Sequence, residues 1–333
     1  MPLHVLPRQL RQLLWRFVWT GLCASAMTGS AWAAGIKILV STTPLSTPFY
    51  VAEEQGYFRD EGLEVTLVDC PSGSVCLKQL LDGQGQLATA SDQAIMFLSF
   101  EKPTFKVLAS FASSRQDVKL VARRSAAIRS VADMKDKRVA MVRGAAGQYV
   151  FDLAMLTSGL DPRSAQVVDL DLQQLEAAAT NRSIDAFALW QPGANHLIKL
   201  LGTDALVLPG PNLYTLTFNL TALRDARTIS AEDCVKALRA LERALVFLRS
   251  EPSKAKTILR DRLKLVMTDI DGYWPDYRFE LGLNQSLIAT LESTARWAMR
   301  ENLVKHRDMP NYLDFIDIGP LKRVRPAAVT IVK

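Results

Sequence analysis

Short apolar runs alternate with segments of helical periodicity through much of the chain after residue 34. Short apolar or alternating runs predict strands, and longer patterns with a period of about 3.6 residues predict amphipathic helices. In the first cycle the predicted strands are 36–42, 63–69, 86–91 and 105–112. The predicted helices between them are 47–62, 74–83 and 92–100. This alternation indicates βαβ units with parallel strands.

The same order of elements then repeats. The predicted strands of the second cycle are 137–142, 165–171, 184–190 and 204–209, and the predicted helices are 148–159, 173–183 and 194–201. Two such cycles in tandem predict an α/β fold with two lobes, each a mostly parallel sheet flanked by helices. Ligands of open parallel sheets lie at the carboxyl ends of the strands. We therefore expect a ligand cleft between the lobes.

The last third of the chain changes character. The segment 214–223 predicts a strand that returns to the first lobe, and the pattern after residue 229 is mostly helical. These features predict a first lobe from 35–122 together with 216–333, and a second lobe from 123–215.

The first 34 residues have the pattern of a secretory signal peptide. Three arginines (Arg8, Arg11 and Arg16) precede the apolar run FVWTGLCASAM, and Ala31-Trp32-Ala33 is typical of a cleavage site. The run is shorter than the roughly 20 residues that cross a bilayer, although an uncleaved anchor stays an alternative. Loss of these arginines lowers the formal charge from +6 to +3. The remaining chain has no basic run with interleaved aromatics, so nucleic acid is not a predicted partner.

Cys70 and Cys76 flank the short segment PSGSV. Three interpretations are open, namely a disulfide, two free thiols, or part of a metal site. Export favours oxidation, and cysteines close in sequence usually pair, so we expect a disulfide. A zinc site would require further ligands at short spacing, whereas His196 and His306 are remote in sequence.

Five loops follow predicted strands and precede predicted helices. They are PLSTP (44–48), CPSGSVC (70–76), SDQ (91–93), RGAAGQ (143–148) and WQPG (190–193). Free N–H groups at helix N-termini favour anions. Structural roles remain open, because RGAAG also suits a tight turn, Arg143 a surface charge, Asp92 a helix cap and Trp190 a core position. RGAAG is no phosphate-binding Walker loop, since no Gly-Lys-Ser/Thr follows, and the chain lacks a G-x-S-x-G motif.

Several segments together resemble a known family. GYFRDEGLEVTLV, VRGAAGQYVFDLAMLTSGLDP, LWQP and NYLDFIDIGPLKRVRPAAVTIVK resemble substrate-binding proteins of nitrate/sulfonate/taurine-type ABC importers, and the resemblance covers 36–333. It implies a periplasmic-binding-protein architecture of type II. It also implies a periplasmic monomer without cofactor or catalytic activity, which closes around a small-molecule ligand and delivers it to an inner-membrane permease with its ATPase.

The resemblance also implies ligand contacts from these loops. The positions are Ser46, Phe49, Gly73, Ser74, Ser91, Asp92, Gly144, Ala145, Gly147, Gln148 and Trp190. The loop GAAGQ has few hydroxyl groups, which favours a larger sulfonate, carboxylate or heteroaromatic ligand over nitrate or sulfate. Two alternatives remain. One is an enzyme or binder like the thiamine-pyrimidine synthase, which depends on histidine chemistry, and the other is an exported ligand sensor for a receptor kinase.

Overall fold

The structure is a computed structural model that describes residues 35–102, 104–210, 214–225, 228–305 and 308–332. The predicted signal peptide and His306 lie outside the described residues. Within the described ranges, no helix combines the length and the apolar character needed to span a bilayer.

The first sheet has six strands in the order β11-β4-β10-β3-β1-β2. Their bounds are Ile36–Ser41 (β1), Val65–Cys70 (β2), Leu87–Ser91 (β3), Phe105–Ser114 (β4), Leu216–Leu223 (β10) and Tyr277–Gly282 (β11). The strands of the βαβ units, β1, β2 and β3, pair in parallel. Strand β10, where the chain returns to this sheet, runs antiparallel to β3 and β4. The predicted return of the chain is therefore present.

The second sheet has five strands in the order β7-β6-β8-β5-β9. Their bounds are Val118–Arg123 (β5), Arg138–Met141 (β6), Gln166–Asp169 (β7), Ala186–Trp190 (β8) and Ala205–Leu208 (β9). Strand β6 is parallel to β7 and β8, whereas β5 is antiparallel to β8 and β9. Strand β5 was not predicted, and it places 118–122 in the second sheet although the sequence assigned them to the first lobe. The lobe boundaries themselves stay a prediction.

Helices flank both sheets. Their bounds are Thr47–Glu54 (α1), Tyr57–Asp60 (α2), Gly73–Leu81 (α3), Asp92–Glu101 (α4), Ala146–Thr157 (α5), Leu172–Thr180 (α6), Gly193–Leu201 (α7), Ala231–Ser250 (α8), Pro252–Leu263 (α9), Met267–Tyr273 (α10), Gln285–Arg300 (α11) and Gly319–Val324 (α12). The predicted helix 47–62 is divided, because Gly56 has a left-handed φ of 72° that ends one helix and begins the next.

The apolar faces of these elements pack into a core in each half. In the first, Phe49 of α1 meets Phe111 of β4 edge to face, with ring centroids 4.9 Å apart. In the second, Phe151 of α5 and Met155 pack with strand β6 residues in one buried cluster. These cores hold the strands in place. The predicted ligand loops follow the carboxyl ends of those strands.

Candidate ligand-binding site

A cavity of about 420 Å³ lies where the strand ends of the two sheets meet, and we call it the ligand cavity. Its walls come from the loops after β1, β2 and β3 in the first sheet and after β6 and β8 in the second. The lining residues are Ser41, Thr42, Thr43, Pro71, Ser72, Gly73, Ser74, Ser91, Gln93, Asp117, Val142, Arg143, Gly144, Ala145, Ala146, Asp171, Trp190, Leu216 and Phe218. Its volume is within the range of small-molecule sites, roughly 300–1,000 Å³.

Besides α6, whose N-cap Asp171 carries its own carboxylate, three helices begin at this cavity. The hydroxyl of Ser72 accepts a hydrogen bond from the N–H of Val75 at 3.3 Å and so caps α3. Ser91 caps α4 in the same way, accepting from the N–H of Ala94 at 3.2 Å. Helix α5 has no side-chain cap, since its N-cap residue is Ala145. The first N–H groups of each helix lack acceptors within the helix, so all three N-termini present partial positive charge.

The predicted disulfide is confirmed, because Cys70 and Cys76 are bonded in the structure. Both sulfurs belong to buried residues, so the bond lies beneath the loop rather than in the cavity. The bond joins the end of β2 to the first turn of α3. It therefore holds Pro71, Ser72 and Gly73, which line the cavity, in one conformation.

Gly73 is required by close packing between two of the cavity loops. A Cβ atom at this position would lie 2.7 Å from the backbone nitrogen of Ser91. That distance is shorter than carbon and nitrogen atoms tolerate, so only glycine lets the loop after β2 approach the loop after β3. Small residues here bring two helix N-termini close to one point.

Six of the predicted ligand contacts line the ligand cavity. They are Gly73, Ser74, Ser91, Gly144, Ala145 and Trp190. Gly144 has a left-handed φ of 71°, and its N–H donates to Oε1 of Gln148 at 2.8 Å. The loop RGAAG is thus a turn and also part of the cavity wall. Contact between these residues and a ligand stays a prediction.

The other five predicted contacts do not line the cavity. They are Ser46, Phe49, Asp92, Gly147 and Gln148. Ser46 and Phe49 are fully buried in the first half of the molecule. A Cβ on Gly147 would lie 2.5 Å from the carbonyl oxygen of Ala188, so this glycine permits α5 to pack on β8. Gln148 stabilises the loop, because its Oε1 accepts the hydrogen bond from the N–H of Gly144. Residue type alone does not separate a residue that supports a wall from one that lines it.

Asp92 is the most consequential of these supporting residues. It is fully buried, and its Oδ1 accepts a hydrogen bond from the hydroxyl of Tyr214 at 2.9 Å. Its Oδ2 has no hydrogen-bond partner among the described residues. Burial raises the pKa of Asp92 to about 7, against the opposing effect of the bond from Tyr214. Asp92 therefore ties α4 to the segment through which the chain returns to the first sheet.

Sequence reasoning missed several polar residues of the wall, among them Gln93 and Asp117. Gln93 is 3% exposed, and neither atom of its amide group has a hydrogen-bond partner among the described residues. A buried amide without partners is costly unless a ligand or water satisfies it. Gln93 lies within the loop SDQ, which was one of the five predicted ligand loops. Its position next to the predicted contact Asp92 could have identified it from the sequence.

Asp117 was missed as well. It is 3% exposed and precedes the unpredicted strand β5, in the segment that leads from one sheet to the other. The hydroxyl of Tyr277 donates to its Oδ1 at 2.8 Å. Burial raises the pKa of Asp117 to about 7, while the bond from Tyr277 and the charge of Lys119 lower it. No local pattern indicates a residue whose burial depends on a partner 160 positions away.

A larger cavity of about 850 Å³ lies beside β4, β11 and α11, and we call it the rear cavity. It contains none of the five strand-to-helix loops. We place the candidate site in the smaller ligand cavity, because that cavity combines three helix N-termini with the unpartnered amide of Gln93. Among the described residues, no group of three or more His, Cys, Asp or Glu side chains is arranged to hold a metal ion.

A family model described as NMT1/THI5 like matches residues 43–255, which is more than half of the chain. A candidate aliphatic sulfonates-binding protein of Bacillus subtilis (strain 168) is 21% identical over 220 residues. That match covers 65% of this chain and 66% of the Bacillus protein, so it spans just under two thirds of that relative's length.

Solved structures show the same fold. The periplasmic aliphatic sulphonate binding protein of Escherichia coli superposes with a TM-score of 0.74 at 19% identity, over 85% of this chain and 92% of that one. The alkanesulfonate-binding protein of Xanthomonas axonopodis pv. citri, bound to MOPS, gives a TM-score of 0.73 at 19% identity, over 86% and 98%. The predicted periplasmic-binding-protein fold is therefore confirmed.

Proposed function

The chain belongs to the NMT1/THI5-like family, and from this premise we propose that it is the extracytoplasmic solute-binding component of a sulfonate-type ABC importer. Its ligand is a small organic anion, as in the related proteins that bind aliphatic sulfonates. The observation that carries this proposal is the convergence of three helix N-termini on one cavity between two sheets.

The anionic group of the ligand binds at the N-termini of α3 and α5. Backbone N–H groups at helix ends hold oxyanions without a full positive charge from a side chain. Gly73 supports this arrangement, because it keeps the loop before α3 within reach of the loop before α4. The N–H groups of Ala146 and its neighbours provide the opposing wall from the second sheet.

The organic part of the ligand occupies the remainder of the cavity. Trp190 and Phe218 give this part of the wall an apolar surface. A volume of about 420 Å³ is much larger than nitrate or sulfate requires. The size and the aromatic wall both favour an organic sulfonate or carboxylate, a taurine-like compound included, over an inorganic anion.

Binding closes the two halves of the molecule over the ligand. The chain passes from the first sheet to the second after Ser114 and is back in the first sheet at Leu216, so it connects the halves twice. Such connections permit hinge closure, in which a ligand that touches both walls stabilises the closed form. The closed monomer then delivers its ligand to an inner-membrane permease and its ATPase, and the leader at residues 1–34 directs it to the periplasm.

The geometry of the described residues favours neither alternative. A synthase that depends on histidine would require an imidazole at the cavity, whereas His196 is exposed on α7 and lies 3.2 Å from a carboxylate oxygen of Glu176. His306 lies outside the described residues. A sensor for a receptor kinase would share the same cavity and differ in its partner. Co-purification with a permease rather than a kinase separates these two roles.

Thermal denaturation with a panel of solutes tests the proposal. The panel contains alkyl sulfonates, taurine, carboxylates, pyrimidines, nitrate and sulfate. A ligand present at 100 times its dissociation constant stabilises the folded state by about 2.7 kcal/mol. We expect an organic anion to raise the melting temperature and nitrate or sulfate to have less effect. A folded protein that responds to no compound in the panel would contradict the binding role.

A further inference from the structure

The rear cavity lies where the two halves of the molecule are joined. Its volume of about 850 Å³ compares with about 420 Å³ for the ligand cavity. Its wall contains Arg115, where the chain leaves the first sheet, and Thr215, where the chain returns. Nε of Arg115 donates to Oγ1 of Thr215 at 3.2 Å and so links the two connections. Tyr149 of α5 adds a residue from the second half. A ligand that fills this cavity therefore contacts both connections and both halves.

Hydroxyl groups are frequent in the wall of the rear cavity. Eight of its twenty lining residues are serine or threonine. Some of these hydroxyls bond within the protein, as Ser110 does when it donates to Oδ1 of Asn219 at 2.6 Å. The side-chain hydroxyls of Ser113, Ser286 and Thr290 have no hydrogen-bond partner among the described residues. A hydroxyl both donates and accepts, so this wall suits a ligand whose own groups do the same.

The charged residues of this wall leave one cation without an acidic partner. Nε of Arg278 lies 2.7 Å from Oε1 of Glu280. Asp276 pairs with Lys119, with Oδ2 and Nζ 3.2 Å apart. Arg115 is exposed and makes no ion pair among the described residues, and only its Nε has a hydrogen-bond acceptor there. Its two terminal nitrogens remain for a ligand, and guanidinium groups bind carboxylates and phosphates through two parallel hydrogen bonds.

Two tyrosines of the rear cavity connect it to the ligand cavity. Tyr149 lies on α5 one turn after Ala146, which lines the ligand cavity. Tyr214 packs edge to face on Tyr149, with ring centroids 5.1 Å apart. The hydroxyl of Tyr214 also donates to Asp92, the first residue of α4, at 2.9 Å. Helices α4 and α5 both begin at the ligand cavity, so a ligand that holds these tyrosines in place also holds part of the ligand-cavity wall.

We infer that the rear cavity is a second binding site, which takes a hydroxylated organic anion of the size of a sugar acid or sugar phosphate and strengthens binding at the ligand cavity. The anionic group binds Arg115, and the hydroxyls of the ligand bond to the serines and threonines of the wall. Occupancy stabilises the conformation in which both sheets line the ligand cavity, so the two sites assist one another. This coupling rests on the proposed function, whereas binding at the rear cavity does not.

Titration calorimetry with matched solutes tests binding at the rear cavity. The probes are D-gluconate and D-glucose 6-phosphate, which carry both hydroxyls and an anionic group. The controls are D-sorbitol and D-glucose, which lack the charge, and hexanoate, which lacks the hydroxyls. We expect both hydroxylated anions to bind, and each control to bind at least about tenfold more weakly. Failure of both hydroxylated anions to bind the folded protein, or equal binding of the controls, would overturn the inference.

Two variants locate the site. Arg115→Gln removes the guanidinium and should weaken binding of both anions by at least about tenfold. Ala289→Trp places a bulky side chain at an exposed position of α11 in the cavity wall and should exclude the anions whether or not the first variant folds. Arg296→Gln is the matched control, since Arg296 is exposed on α11 outside the lining and pairs with Glu292. Unchanged binding in both test variants would place the anions elsewhere and overturn the inference.

The coupling is measured by titration of an alkyl sulfonate with and without saturating D-gluconate. We expect gluconate to lower the dissociation constant of the sulfonate by at least about fivefold, and Arg115→Gln to lose this effect while still binding the sulfonate. Competition between the two compounds would place gluconate in the ligand cavity and overturn the inference, and an unchanged dissociation constant would overturn the coupling. If gluconate binds but no compound of the thermal panel does, the proposed function fails and the second site stands.

Discussion

The indole N–H of Trp297 donates a hydrogen bond to Oδ2 of Asp152 across 2.6 Å, and both residues are buried. Trp297 lies on α11, and Asp152 lies on α5, whose first residues line the ligand cavity. Tyr149 of α5 adds a second contact to the same helix, because its hydroxyl lies 3.3 Å from the hydroxyl of Ser293. Helix α5 is therefore anchored outside the cavity while its N-terminus forms part of the wall.

Replacement of Trp297 by Phe should destabilise the protein, because it leaves the buried carboxylate of Asp152 without its donor. The expected loss is about 1–3 kcal/mol of unfolding free energy, measured by chemical denaturation. The double variant Trp297→Phe, Asp152→Leu removes both polar partners and should recover part of the loss. Equal stability of the single variant and the native protein would show that the hydrogen bond contributes nothing.

The buried acids should make stability decrease as the pH rises. Burial raises the pKa of Asp92 from 3.8 to about 7, so the folded state retains a proton that the unfolded state has lost. The contribution of Asp92 is complete below about pH 4 and declines as the pH approaches 7. Asp92→Asn should make the melting temperature decrease less between pH 4 and 7, since asparagine does not titrate and still accepts from Tyr214. Parallel profiles of melting temperature against pH for the native protein and the Asp92→Asn variant would contradict the raised pKa of Asp92.

The disulfide should affect both stability and binding. Replacement of Cys70 and Cys76 by Ser opens a short loop, and the chain-entropy model predicts a loss of about 2 kcal/mol. We also expect weaker ligand binding, because Pro71, Ser72 and Gly73 would then be ordered at the expense of binding free energy. Cys234→Ser is the control, since Cys234 is buried and unbonded away from the cavity. Unchanged affinity in the double serine variant would limit the disulfide to a role in stability.

Thiol titration checks the disulfide chemically. Protein without residues 1–34 should show one reactive thiol per chain when unfolded without reductant, from Cys234. Three reactive thiols would show that Cys70 and Cys76 are not bonded in solution.

Trp190→Ala should weaken ligand binding by more than about tenfold while the protein stays folded, because Trp190 is only partly buried and lines the cavity. Trp274→Ala is a matched control, since Trp274 is also partly buried but packs on Phe279, with ring centroids 5.2 Å apart, outside the cavity. Titration calorimetry of both variants with the strongest compound from the thermal panel gives the comparison. Equal affinities of the Trp190→Ala and Trp274→Ala variants would show that Trp190 has only a structural role.

The cycles of strand and helix were predictable because each element carries its own periodicity. Strands β1, β2 and β3 and the helices after them lie within a few residues of their predicted positions. Strands β5 and β11 were not predicted, because both are antiparallel additions that stand outside the repeating βαβ order. Their place depends on pairing with distant strands, which local periodicity does not report.

The sequence predicted which loops form the candidate site, but it predicted only some of the side chains that line the cavity. Loops at strand ends face the cavity because parallel strands end at one edge. The roles of Asp92 and Asp117 depend on Tyr214 and Tyr277, which are 122 and 160 positions away in sequence. Gly147 has the same residue type as Gly73 but serves helix packing alone. Such distinctions arise from tertiary contacts and were not present in the local pattern.

We propose that one solute binds between the two sheets at the helix N-termini. Hydrogen–deuterium exchange, compared between the free protein and the protein saturated with the strongest sulfonate from the thermal panel, locates that solute. We predict new protection on both walls at once, in segments 71–76 and 91–94 of the first sheet and 142–148 of the second. Protection confined to the rear cavity, around β11 and the start of α11, or to one wall alone, would contradict this proposal.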